Sequence, residues 1–301
     1  MHRTSPNTLS ITNSVFFCIT NTASGGAISS TNDNVELHVS STSFSLCFLP
    51  TKDSSLTGGC IFYSSSLKGF TGKSLCASNC AAYYMAFLHI LGSVSPKAKS
   101  NLTMTSYCYC ANNTENSHYM AVYFKYKCVT ATNINSTNNC IEGSTVFGIE
   151  SPGDAHFSHG IFYNNTADAL FCFWGPDTAP VCEKTAFIES KRLGNSCSVF
   201  HFSCLTEVTA YVKNCSFLNN HYNIFQFYNH VFEIIDCTVD EFMCDTAKGT
   251  LITRNIKTTN PDIYEIPKHR CIIDIIFCTN EVRNAMEMRI SPLFLSFTST
   301  A

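Results

Sequence analysis

One pattern recurs along this chain, and it leaves few architectures open. It runs apolar, any, apolar, two of any kind, small, any, aromatic or aliphatic, two of any kind, polar. "LSITNSVFFCI" from Leu9, "LHVSSTSFSLC" from Leu37, "LTMTSYCYCAN" from Leu102 and "VYFKYKCVTAT" from Val122 follow it, as do "AHFSHGIFYNN" from Ala155, "AYVKNCSFLNN" from Ala210 and "FEIIDCTVDEF" from Phe232. Weaker copies are "LCASNCAAYYM" from Leu75 and "PVCEKTAFIES" from Pro180. Nine copies begin between positions 9 and 232, a mean spacing of (232 − 9)/8, about 28 residues, with variable gaps. A period of this size is that of a solenoid.

Within a copy the apolar residues alternate, break for two residues, then alternate again. Alternation is the signature of a strand with one buried face, and the break fits neither strand nor helix, so each copy reads as two short strands meeting at a corner. The closing polar residue is asparagine in the Phe-x-x-Asn of Phe162/Asn165 and Phe217/Asn220. Asparagine suits a second corner, because its side chain satisfies turn backbone groups and its backbone tolerates left-handed dihedrals. A third apolar segment follows most copies: "GGAIS" at Gly25, "GGCIFYS" at Gly58, "DALFCFW" at Asp168, "SCSVFHFS" at Ser196, "YNIFQFY" at Tyr222 and "GTLIT" at Gly249. Three strands and three corners make one turn of a parallel β-helix, whose backbone bonds go to turns about 4.8 Å above and below. Only inward positions and corners are then constrained, which explains the looseness of the repeat. A leucine-rich repeat would put Leu at most inward positions, where this chain has Ile, Val, Met, Phe, Ala and Cys; a β-sandwich would not repeat one pattern nine times.

Composition agrees. Charged residues are 14% and hydrophobic ones 45% of 301, too apolar for a disordered chain. A net charge of −3 with no Lys/Arg cluster gives no field for nucleic acid. No stretch reaches the length of a transmembrane helix; "AAYYMAFLHILGSV" (Ala81 to Val94) reads as buried structure instead. No export signal is visible at the amino end. Sequons stand at Asn101, Asn112, Asn135, Asn164 and Asn214.

The motifs "GGAI", "GGCI" and Phe-x-x-Asn, between about Leu9 and Thr253, resemble the repeat of polymorphic outer-membrane-protein-type proteins and of large families of protist surface proteins. The resemblance implies a right-handed parallel β-helix, here of about nine irregular rungs over residues 1–253. It also implies surface display and adhesion, with a glycan or a cell-surface protein as ligand. Residues 254–301 bring two prolines, more charge and the apolar run "CIIDIIFC", and read as an irregular carboxyl-terminal segment that caps the solenoid edge.

Chemistry-bearing patterns are sparse. Pectin hydrolases of the β-helix class use Asn-Thr-Asp, Asp-Asp, Gly-His-Gly and Arg-x-Lys motifs, and this chain has none. The nearest acidic group is "GDAHFSHG", where Asp154 and His156 share a strand face and His159 lies beyond the bend. Paired carboxylates, as glycoside hydrolysis needs, are not evident, nor is a calcium nonapeptide, a Gly-x-Ser-x-Gly elbow or a phosphate loop. In "FHFSCL", His201 and Ser203 read as outward polar residues, with Cys204 a remote candidate nucleophile. Trp174, the single tryptophan, reads as a rung-closing core aromatic, with a carbohydrate platform as the alternative.

The eighteen cysteines contain no CxxC pair; Cys76/Cys80 and Cys108/Cys110 are the tightest groups. Structural zinc uses two close pairs, so no metal is expected. Cys215 and Cys237 share the slot of Ser14 and Thr42 and are expected to stack as free thiols, since in-register rungs keep Cβ atoms further apart than the roughly 3.8 Å of a disulfide. The chain is thus expected to be a non-catalytic surface or secreted binding protein with no catalytic, cofactor-binding or metal residues. A β-helix polysaccharide lyase or glycoside hydrolase is the first alternative, and a structural fragment of a longer surface protein the second.

Overall fold

The structure, a computed structural model, describes residues 7–49, 56–82, 84–92, 101–105, 108–111, 120–141, 145–151, 153–176, 178–192, 198–203, 208–220, 223–240 and 244–257. All regular elements among them are β-strands, and every strand pairing is parallel. Each strand pairs with one a whole repeat away, as in a β-solenoid. Residues 258–301, most of the expected 254–301 cap, lie outside the described residues, and pairing continues up to Lys257.

Three parallel ladders organise the molecule. The first aligns Leu9 with Leu37, Leu37 with Phe70, Phe70 with Leu102, Leu102 with Val129 and Val129 with Ala155. Further along, it aligns Ala210 with Phe232 and Phe232 with Leu251. The second ladder carries an aromatic file in which Phe16 stacks on Phe44 at 5.2 Å, Phe162 on Phe187 at 5.0 Å and Phe187 on Phe217 at 5.1 Å. The third runs through Ile28, Ile61, Leu88, Val122, Phe147, Phe171 and Phe200. Inward residues of all three ladders meet in one continuous core.

The register corrects three readings of the repeat. The copy assigned to Leu75 begins at Phe70, because Gly72 holds the second inward position and hides the alternation. The copy assigned to Val122 begins at Val129; Val122 belongs to the third ladder, where its alternation looks the same. "GTLIT" lies on the first ladder, since Leu251 pairs with Phe232.

The two-residue break is a single left-handed residue followed by an inward one. Asn13, Ser41, Ser74, Asn133, His159, Lys184, Asn214, Asp236 and Asn255 fill this corner, with φ between 47° and 57°. A second left-handed file follows the second ladder through Cys18, Leu46, Asn79, Asn138, Asn164, Glu189 and Asn219. Asparagine is the side-chain-bearing residue best suited to this region, and it holds many of these positions. The asparagine of Phe-x-x-Asn is not itself left-handed: Asn164 and Asn219 are, and Asn165 and Asn220 follow them. Asn165 points inward, fully buried, donating from Nδ2 to the Ser136 carbonyl at 2.9 Å and accepting from the Asn139 N–H at 3.0 Å. Asn220 likewise donates to the Phe187 carbonyl at 2.7 Å and accepts from the Ser190 N–H at 3.2 Å. The motif persists because this amide stitches one turn's corner to that of the turn before.

At the third corner Gly25 and Gly58 adopt φ of 75° and 72°, and a Cβ on either would lie 2.2 and 2.5 Å from the carbonyl oxygens of Ile28 and Ile61. Cys215 and Cys237 are buried thiols on neighbouring turns, the Cys215 N–H facing the Cys237 sulfur at 3.4 Å. Their slot does not demand a small residue everywhere, because Leu75 stacks on Thr42 in the same file. Cys76, by contrast, is disulfide-bonded.

Candidate binding face

The outer side of the third ladder gathers the polar and aromatic residues that core packing leaves over. Strand alternation sends Phe171 and Phe173 inward, both essentially unexposed, and turns Cys172 and Trp174 outward. Trp174 is therefore not a core aromatic. The parity of "ALFCFW" carried that information, since two phenylalanines two residues apart already fill the inward positions.

One outward file runs Phe62, His89, Tyr123, Gly148, Cys172 and His201; a second, two residues further on, runs Lys125, Glu150, Trp174 and Ser203. Phe62 and His89 have ring centroids 5.4 Å apart, as do His89 and Tyr123. At Gly148 the first file lacks a side chain, and the Trp174 ring lies down in the gap: a Cβ there would sit 2.4 Å from Cζ3. Trp174 then meets Tyr123 edge-on at 6.2 Å. The result is a half-buried aromatic strip crossing five turns.

Polar groups edge the strip. Lys125 Nζ pairs with Glu150 Oε1 at 2.6 Å, and the Tyr123 hydroxyl donates to the other oxygen of the same carboxylate. Burial and then the Glu150 charge push the Tyr123 phenol up, so it stays a neutral donor. Thr57 Oγ1 lies 2.6 Å from His89 Nδ1. Burial, then the Lys125 charge, pull His89 down to about 4, leaving its imidazole neutral near pH 7. The Cys172 thiol, fully buried, is pushed well up by desolvation and is no nucleophile. Aromatic faces beside a charged pair and neutral donors offer stacking and hydrogen-bonding groups side by side on one outer face.

The residues of "GDAHFSHG" do not converge. His156 Nε2 pairs with Glu183 at 3.3 Å, Asp154 accepts from Thr178 at 3.4 Å, and His159 sits exposed in the left-handed corner. His201 and Ser203 point outward between buried phenylalanines, as alternation requires; Cys204 lies outside the described residues. Among the sequons, Asn164 and Asn214 are exposed while Asn135 is buried; the Asn101 side chain and Asn112 lie outside the described residues.

A further group escaped sequence reasoning altogether: the sulfurs of Cys47, Cys60 and Cys80 lie within 4.8 Å of one another, all buried. Cys76 and Cys80, close in sequence, separate across the strand, Cys76 outward and Cys80 inward.

No protein family, curated protein or solved structure matches the chain. Among the described residues, no helix is long and apolar enough to cross a membrane.

Proposed function

We propose that the chain is a right-handed parallel β-helix of about nine irregular turns and a non-catalytic surface or secreted binding protein, taking a glycan across the outer face of its third ladder. The observation that carries this reading is the outward Trp174, laid over Gly148 beside Tyr123 and the Lys125–Glu150 pair. The Cys76 disulfide supports an oxidising compartment. A glycan panel screened by calorimetry tests the proposal. A ligand bound by the wild type and lost in Trp174→Ala, with folding intact, is the expected result. Binding indifferent to Trp174→Ala and Tyr123→Ala would sink it, and release of reducing or unsaturated ends from any polymer would turn the face into an active site. A crystal structure gives the hand and the number of turns directly.

A further inference from the structure

The inward corner position that asparagine holds in Phe-x-x-Asn can be followed from turn to turn. Ile19, Cys47 and Cys80 occupy it in the first turns, Phe48 N–H bonding to the Ile19 carbonyl and Ala81 N–H to that of Cys47. Asn139, Asn165, Ser190 and Asn220 occupy it later. The equivalence extends to the atoms each side chain faces. Asn165 and Asn220 donate to the carbonyls of Ser136 and Phe187, at the aromatic position of the preceding turn. Cys47 and Cys80 direct their thiols at the matching carbonyls of Phe16 and Phe44, both at 3.8 Å. A thiol is a weak donor, so two consecutive turns have cysteine where an amide would serve the corner better.

A third sulfur faces them. Cys60 follows Gly58-Gly59 in a file whose neighbours are apolar, Ala27 before it and Phe87 and Ala121 after it. Gly59 lets the chain come close: a Cβ there would sit 2.1 Å from the Ala86 oxygen and 3.0 Å from that of Ala81, the residue next to Cys80. Cys47, Cys60 and Cys80 all have zero exposure. Other cysteines are buried in the core as well, and Cys215 neighbours both Cys182 and Cys237. Among the described residues, only Cys47, Cys60 and Cys80 bring three sulfurs within 4.8 Å of one another. An ion about 2.3 Å from each of three sulfurs holds them roughly 4 Å apart, so a small contraction completes such a site.

We propose that Cys47, Cys60 and Cys80 form a buried three-sulfur site for a single soft monovalent ion, Cu(I). Thiolates select Cu(I) and Zn(II) among common ions, but structural Zn(II) wants four ligands, and among the described residues no histidine or carboxylate joins the three sulfurs. Three sulfurs in a dry corner match the lower coordination number. Binding changes no oxidation state; the ion enters as Cu(I), and the displaced thiol protons leave to solvent.

The test uses the full chain, reduced and handled without oxygen, titrated with Cu(I) against a colorimetric chelator, both folded and refolded in its presence. Two variants borrow residues that the same files already carry: Cys60→Ala, as at Ala27, and Cys80→Asn, as at Asn165. Wild type should retain one more equivalent of copper than either variant, with three sulfur neighbours by X-ray absorption and a raised melting temperature. Cys172→Ala, which removes a remote buried thiol, should keep the wild-type stoichiometry. Circular dichroism establishes that the variants fold. Equal retention by wild type and Cys60→Ala would overturn the proposal. So would preferential retention of Zn(II), or a Cys47–Cys80 linked peptide from unreduced protein.

Discussion

Replacing Asn165 with alanine removes the amide that joins two successive corners. Its Oδ1 accepts from the Asn139 backbone N–H and from Asn139 Nδ2, both at 3.0 Å, and its Nδ2 donates to Ser136 C=O at 2.9 Å. Asn139 has 1% exposure and Asn165 none, so water does not replace the lost partner. An unsatisfied buried N–H costs about 1–3 kcal/mol, and each further hydrogen bond about 0.5–1.5 kcal/mol. Asn139 Nδ2 keeps its 2.8 Å bond to Ser136 Oγ, which limits the loss on that side. The total is about 2–5 kcal/mol. Asn164→Ala is the control: Asn164 is exposed, gives up one bond to Asn138 at 2.7 Å, and puts alanine at a φ of 48°, at roughly 1–2 kcal/mol. Urea unfolding of both variants measures the difference, and amide exchange at Asn139 locates it, with protection expected to fall about 30-fold or more in Asn165→Ala. If Asn165→Ala stays within about 1 kcal/mol of wild type, or Asn164→Ala proves the costlier change, the corner amide is not what maintains Phe-x-x-Asn.

Phe187→Ala opens a gap in the aromatic file between Phe162 and Phe217 and should cost about 3–5 kcal/mol in urea unfolding. His89, at about 4 when folded against roughly 6.5 unfolded, binds its proton sooner in the unfolded chain. Stability should therefore fall by up to about 3 kcal/mol as pH drops from 6.5 to 4, and His89→Gln should flatten that part of the profile. Gly148→Ala forces the Trp174 ring off its seat, and the emission of this single tryptophan should shift to the red with little loss of strand signal. Cys215 and Cys237, buried and free, should resist alkylation in the folded protein and label on unfolding without reductant; a peptide linking the two would contradict the register.

The strand character, the corners and the period were legible because most inward strand positions must be apolar whatever their neighbours are. What sequence could not give was the ladder to which a segment belongs. Val122-x-Phe124 and Val129-x-Ala131 alternate alike, and only pairing with Leu88-x-Ile90 or with Leu102-x-Met104 tells them apart. Phe70 was missed for the opposite reason, since a glycine at an inward position erases the pattern. Trp174 was misplaced although the neighbouring phenylalanines fixed its parity, because a large aromatic at a strand end is as readily imagined closing the core as facing water.

The sulfur cluster was illegible for a deeper reason. Metal-ligand spacing is informative when a tight turn brings ligands together, because the chain between them is then short. In a solenoid, proximity comes from stacking instead. Cys47 and Cys80 meet because they are one repeat apart in one file, and Cys60 joins them because Gly59 brings the third corner close to Ala81, next to Cys80. Their separations in sequence are set by loop lengths and carry no chemical information. The readable signal is a departure from the repeat's own rule, cysteine where the corner asks for asparagine, in two adjacent turns. If Cys80→Asn abolishes copper retention while raising metal-free stability, the corner was given up for the ion; if it raises stability and leaves copper uptake unchanged, cysteine there is only a weaker corner residue. The two measurements on one variant thus separate a ligand from a packing choice.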